Sequence, residues 1–287
     1  MCSVVNNNTA SVKSPVEEML RYIDSLPEEP PKPRDEIKSR RFWMSVWSEF
    51  ISTLILTVIA SASSQESDVR QSLAVGCTSA LLTYTLHGVA FNPAVVLARF
   101  LVAKVSFLKF FASVLVQAVG AIAGSVLVFA LRNEFFQLVE SKLNLSQIFG
   151  VEFLGSLVIV LTVLTSDDDV ETGLLKFQAF PVGIAYGAAT LFSFSYTGIG
   201  LNPARALGPA ILTHEWDHHW VYWVGPLLGG LIGGFTYDYA RSSRKDVQER
   251  AEKIHRKAMA ESLKRDFSAL SGETELTNSM NTNDCRV

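Results

Sequence analysis

Polar residues crowd the two ends of this chain, and between residues 43 and 240 apolar segments follow one another with short polar breaks. Six of these segments are long enough, or nearly so, to cross about 30 Å of hydrocarbon, which takes roughly 17–25 helical residues. They lie near 43–64, 72–90, 107–131, 148–165, 174–196 and 219–240. Two more, about 93–102 and 203–213, are apolar but too short to cross. A backbone end at membrane depth is tolerated only inside protein or beside water, so these two are expected as re-entrant half-helices. The expected fold class is an all-α membrane protein with six transmembrane helices and two half-helices.

The flanks break the pattern. Pro27-Glu28-Glu29-Pro30-Pro31-Lys32-Pro33 favours extended, unpacked chain. Residues 1–41 are therefore expected as an N-terminal tail, 42–240 as the membrane domain and 241–287 as a C-terminal tail. Within that second tail, Val247, Ala251, Ile254 and Ala258, then Leu263, Phe267 and Leu270, form a helical apolar stripe among mixed charges.

The middle of the chain is written twice. Trp47-Ser48-Glu49-Phe50 resembles Gly150-Val151-Glu152-Phe153, and Asn92-Pro93-Ala94 matches Asn202-Pro203-Ala204. The offsets are 103 and 110, so repeat 1 (about 42–131) maps onto repeat 2 (about 148–240) with small insertions. Each copy holds three full spans. An odd number turns the second copy over relative to the first, which gives an inverted repeat with its functional centre at the midplane.

Composition sharpens this reading. Hydrophobic residues make up 48% of the chain and charged residues 18%, against about 25% charged in soluble domains. Of the 25 Lys and Arg, 7 precede Phe42 and 10 follow Ala240, leaving 8 between them. Arg34, Lys38, Arg40 and Arg41 precede the first span, Arg99, Lys104 and Lys109 follow the second, and Arg241, Arg244 and Lys245 follow the sixth. All three groups fall on one side, which the positive-inside rule makes cytosolic, with both termini. The acidic stretch Ser166 to Lys176 reads as a loop on that same side and departs from the pattern. Asn144-Leu145-Ser146, on the other side, is a glycan acceptor sequence. Basic and acidic residues are mixed in both tails, so no nucleic-acid partner is expected. Cys2, Cys77 and Cys285 offer no disulfide framework.

The chemistry rests on the paired tripeptide. Pro in the first helical turn costs no hydrogen bond, because that N–H has no intrahelical partner. Asn before it caps the helix, with its oxygen held by backbone and its amide free to donate outward. Two half-helices pointing their positive ends at one place present donors and a positive potential to water. Water then turns its oxygen to Asn92 and Asn202, which breaks a proton-relaying chain and opposes cations. Arg205 stands one turn into the second half-helix, where facing lipid would cost several kcal/mol. Glu49 and Glu152 are intramembrane acids at equivalent places in the two copies. His214, His218 and His219 with Glu215 and Asp217 fit no metal-site spacing. His87 reads as a pore-side or loop-packing residue. No nucleophile, base, metal or cofactor constellation appears, so an enzyme is not expected.

At Phe91-Asn92-Pro93-Ala94-Val95, at Thr197 through Pro209, and at His219-Trp220-Val221-Tyr222-Trp223-Val224-Gly225-Pro226, the chain resembles the aquaporin (major intrinsic protein) family. Gly150-Val151-Glu152-Phe153 and Arg41-Phe42-Trp43 bring it nearest the invertebrate big-brain-like branch. The resemblance covers about 42–240. It implies an aquaporin-like fold, a homotetramer in a lipid bilayer, and passage of water, with glycerol or urea as further candidates. It implies a constriction formed by Arg205, Thr190, Ile199 and a second-span residue. That last member is Val75 if aligned on Gly76, or Ser72 if counted back from Asn92. Glu49 and Glu152 become buried acceptors that brace the half-helix loops. One departure stands out: Leu86-His87-Gly88-Val89-Ala90-Phe91 is about three residues shorter than the family's usual run before the first Asn-Pro-Ala. The competing functions are a non-selective ion channel of big-brain type and a poorly conducting adhesion or scaffold protein.

Overall fold

A computed structural model describes residues 33–63, 67–132, 143–171, 178–198 and 200–243, with no side chains for 169–171. The Pro-rich tail before residue 33, the stripe at 245–270 and Ile199, expected at the constriction, lie outside the described residues. The chain divides into two units at Phe42/Trp43. In the first lies a short helix, α1 (Pro33–Lys38), with Pro at its start, Asp35 and Glu36 in its first turn and Lys38 in its last. That order suits the helix dipole.

Every regular element among the remaining described residues is a helix. The elements are α2 (Arg40–Ser63), α3 (Asp68–Leu86), α4 (Pro93–Leu101), α5 (Phe107–Arg132), α6 (Leu145–Glu171), α7 (Ala179–Thr197), α8 (Pro203–Thr213) and α9 (221–243). Local chemistry sets many of these ends. Ser67 caps α3 by accepting from Arg70 N–H at 3.2 Å. Asn144 and Gln147 cap α6 reciprocally, each side chain accepting the other's backbone N–H at 3.0 Å. The exposed acceptor Asn144 is thus the first residue of a capping box. Helix α7 stops at Gly198, where φ is +66°, a conformation that glycine adopts without steric cost.

Two boundaries differ from expectation for physical reasons. The acidic stretch beginning at Ser166 is not a loop as far as Glu171, because α6 continues through it. Asp167 and Asp168 stay helical because Arg99 and Lys104 neutralise them, at 2.8 and 2.9 Å. The second span ends at Leu86, four residues before the expected 90, because His87 and Gly88 adopt φ of +31° and +75°.

The bundle buries polar groups within its apolar core and is apolar outside. Glu49, Ser52, Thr53, Thr57, Gln71 and Gln117 are buried, while Leu73, Leu81, Phe111, Val119, Val158, Phe180, Ile184 and Phe235 are exposed. A soluble protein does not show such an apolar surface. Among the described residues, Arg40–Ser63, Phe107–Leu131 and Leu145–Asp168 are long and apolar enough to cross a membrane on length and composition alone. Helix α3 reads as less apolar because it buries hydroxyls, at Ser72, Thr78, Ser79 and Thr83, and α7 likewise buries Thr190, Ser193 and Thr197.

These two helices pack closely because small residues face each other. A Cβ on Gly76 would stand 2.8 Å from the Gly183 carbonyl oxygen and 3.1 Å from Gly187 Cα. A Cβ on Gly230 of α9 would stand 2.5 Å from the Ala94 carbonyl oxygen, so that glycine lets α9 lie against the first half-helix.

Candidate functional site

Helices α4 and α8 begin with the same cap. Asn92 Oδ1 accepts from Ala94 N–H at 3.0 Å; Asn202 Oδ1 accepts from Ala204 at 3.1 Å and Arg205 at 3.3 Å. Pro93 and Pro203 fill the first helical turn. Each asparagine then reaches across to the other repeat. Asn92 Nδ2 donates to the Leu201 carbonyl at 2.8 Å, and Asn202 Nδ2 donates to the Phe91 carbonyl at 2.7 Å. One amide hydrogen of each asparagine is therefore spent on protein, and one remains for another acceptor.

The residues before the asparagines carry the strain. Phe91 has φ of +39° and Leu201 of +68°, outside the usual range for residues with a Cβ. Each such residue costs about 1–3 kcal/mol and persists only where its surroundings over-determine it. Here the surroundings are the two intramembrane acids. Glu49 accepts from Ala90 N–H at 2.8 Å, Phe91 N–H at 2.9 Å and Gln117 Nε2 at 2.8 Å. Glu152 accepts from Leu201 N–H. A Cβ on Gly200 would collide with Glu152 Oε1, so only glycine fits before Leu201. The arrangement has a pseudo-twofold logic. In each repeat the residue before Asn gives its N–H to that repeat's glutamate and its carbonyl to the other repeat's asparagine.

The remaining candidate residues fall at different depths. Arg205 is buried, and its Nε and Nη2 have no hydrogen-bond partner in the protein. Glu152 is the acid with which it interacts electrostatically. Thr190 is buried on α7, where its carbonyl accepts from Ser193 Oγ at 3.4 Å. Val75 lies in the buried apolar cluster with Phe91, Tyr186 and Ala189. Ser72 instead borders an apolar groove of about 370 Å³ with the exposed Leu73, Phe180, Ile184 and Leu191, and its hydroxyl donates to Asp68 C=O at 2.6 Å. Of the two second-span alternatives, Val75 is the one on the inner side.

Sequence reasoning missed a second polar centre. Arg99, in the last turn of α4, forks onto Asp167 through Nε at 2.9 Å and Nη2 at 2.8 Å. Its Nη1 donates to the Gly88 carbonyl at 2.8 Å, and Gln178 Nε2 donates to Asp167 at 3.0 Å. Beside it, Asp168 receives Lys104 Nζ and the Tyr237 hydroxyl, with Arg241 at 3.9 Å. The short run before Asn92 is thus held at Gly88 by Arg99 and at Ala90 and Phe91 by Glu49. The signal was available: an arginine inside an apolar half-helix invites the same question as Arg205.

His87 is exposed at the end of α3, edge-on to Tyr84 with 6.4 Å between ring centroids. His219, between α8 and α9, accepts from Trp223 Nε1 at 3.0 Å, and partial burial lowers its pKa. No group of three metal-ligating side chains occurs among the described residues.

Comparison with known proteins places this geometry. The profile of the family described as Major intrinsic protein matches residues 36–237. The lens fiber major intrinsic protein of Rattus norvegicus is 32% identical over 231 residues, covering 75% of this chain and 88% of that protein. Aquaporin-1 of Homo sapiens is 29% identical over 244 residues, covering 76% and 89%. The X-ray structure of the aquaglyceroporin from Plasmodium falciparum superposes with a TM-score of 0.60 at 20% identity, over 72% of this chain and 99% of that one, a likeness of fold. The helices, the surface and these relatives together make the chain an integral membrane protein that belongs to the major intrinsic protein, or aquaporin, family of channels.

Proposed function

We propose that residues 42–240 form a passive channel for water and for small uncharged solutes such as glycerol or urea, closed to protons and ions. The observation that supports this most is the meeting of two Asn-capped half-helix N-termini, each asparagine with one amide hydrogen uncommitted. Both helix dipoles place positive potential there, which favours the oxygen of water and opposes a cation. A single water between two such donors is held in one orientation and cannot relay a proton along a chain.

Solute passage follows from the size of the outer constriction. Thr190 and Val75, with Arg205 and Ile199, are small beside the aromatic and histidine that a water-only filter needs. One wall is apolar and the other donates hydrogen bonds, which suits a polyol sliding edge-on. Glu49 and Glu152 act in this proposal as acceptors that fix the two loops, and neither is a catalytic acid. Lys and Arg asymmetry puts both tails, 1–41 and 241–287, in the cytosol. A homotetramer in the plasma membrane completes the reading, on family membership alone.

Stopped-flow swelling of proteoliposomes, with current recording on the same preparation, tests it. Fast water and measurable glycerol or urea flux without current is expected, and Thr190→His should cut solute flux more than water flux. Water flux with both solutes at lipid background removes the wide-filter part. A macroscopic current removes ion exclusion.

A further inference from the structure

Tyr186 has no role in the reading above, and its position gives it one. It lies on α7 four residues before Thr190, which is one helical turn and about 6 Å along the axis. The N-terminal end of α7 meets Asp167 through Gln178, and its far end meets Asp68 through Ser195, whose hydroxyl donates at 2.7 Å. Tyr186 is therefore one turn deeper than Thr190, on the route from the outer constriction to the asparagines. It shares a buried cluster with Phe91, Val95 and Leu201, the residues that flank the two Asn-Pro-Ala turns. Its ring centroid stands 5.1 Å from that of Phe91.

The hydroxyl is the informative atom. It interacts with the Asn92 side chain and, electrostatically, with Arg99, Glu49 and Arg205. It is buried and makes no well-formed hydrogen bond to any protein group. Buried hydroxyls almost always have a partner, so one without a protein partner marks a place for water. Other buried polar side-chain atoms also lack a protein partner. Arg205 Nε and Nη2 belong to the second half-helix, and the Ser79 and Thr83 hydroxyls lie further along α3. Tyr186 lies beside the crossing of α3 and α7 at Gly76, Gly183 and Gly187.

We propose that the Tyr186 ring is the narrowest wall of the pore, set at the midplane beside Asn92 rather than at the outer constriction. Its hydroxyl offers a passing water a partner near the Asn92 amide. A water needs about 2.8 Å of clear width, twice its 1.4 Å radius, and a polyol needs more. With small residues at Thr190 and Val75, the outer constriction admits solutes that the tyrosine then slows. This proposal rests on the channel reading and assigns its rate-limiting residue.

The test uses the full chain in proteoliposomes, with water and glycerol flux measured for the unmodified protein, Tyr186→Phe and Tyr186→Val. Tyr186→Leu serves if the valine variant is not monodisperse. Phenylalanine keeps the ring, so flux should stay within about twofold of the unmodified protein. Valine or leucine removes the wall, so water flux should rise at least about threefold and glycerol flux by more, with no current. Valine and leucine variants that match the unmodified protein overturn the proposal while a conducting unmodified protein leaves the channel reading standing. No swelling by any variant overturns both. A Tyr186→Phe flux as high as that of Tyr186→Val overturns the ring as the wall.

Discussion

Asn202 performs three tasks with one side chain. Its oxygen caps α8, one amide hydrogen ties it to the Phe91 carbonyl at 2.7 Å, and the other, in the proposed channel, meets water. Replacement by aspartate keeps the capping oxygen and removes both donors. A carboxylate there is stabilised in its charged form by two converging helix N-termini. It also faces the Phe91 carbonyl without a proton to share, which costs about 1–3 kcal/mol. Asn202→Asp is expected to cut water flux at least several-fold and to admit cations. Swelling and current measured at equal protein content decide this, and unchanged flux with no new current counts against it.

Among the elements, the first half-helix is held at both ends. Its N-terminus is fixed by Glu49 and Asn202, and its C-terminus by the fork of Arg99 on Asp167. The Arg99 and Asp167 side chains are only 7% and 12% exposed, so the pair belongs to the interior. Losing one partner of a buried pair costs about 3–5 kcal/mol, while replacing both with apolar groups of like volume is near neutral. Arg99→Ala is therefore expected to lower the thermal midpoint in detergent clearly. Arg99→Met with Asp167→Leu should recover most of the loss. Arg99→Lys should fall between them, because a lysine cannot fork onto Asp167 and reach Gly88 together. Scanning fluorimetry on the four proteins gives the order. A double variant no better than Arg99→Ala would show that the clasp itself, rather than an uncompensated charge, carries the stability.

At the scale of the whole molecule, the outside is apolar where a soluble fold would be polar. The exposed face of α3 carries Leu73, Cys77 and Leu81, and Cys77 borders the apolar groove between α3 and α7. Val75, two residues away, is on the inner side. A mercurial that reaches Cys77 therefore modifies the lipid-facing wall and leaves the pore clear. External mercurial is expected to change water flux by less than about a fifth in the unmodified protein, as in Cys77→Ser. Rapid block reversed by a thiol, in the unmodified protein alone, would place Cys77 on the wrong face.

Much of this protein is written locally. Apolar runs of membrane length, a proline after a capping asparagine and the repeat that pairs Glu49 with Glu152 are all patterns within a few residues or one fixed offset. They depend on helix periodicity and caps, which the local sequence decides. What remained for the tertiary structure were contacts between distant residues. The amides of Asn92 and Asn202 each reach a carbonyl more than 100 residues away. Arg99 finds Asp167 across 68 residues, and this pairing keeps an acidic stretch helical that reads alone as a loop. Val75 joins the buried cluster with Phe91 and Tyr186, while Ser72 lies buried at the edge of the groove between α3 and α7, a distinction that needs both helices at once. Tyr186 carries no local signal, since a tyrosine in a span reads the same facing lipid, a neighbour or a pore. Only the packing of α7 against α3 and α6 brings its ring against Phe91, next to the first asparagine.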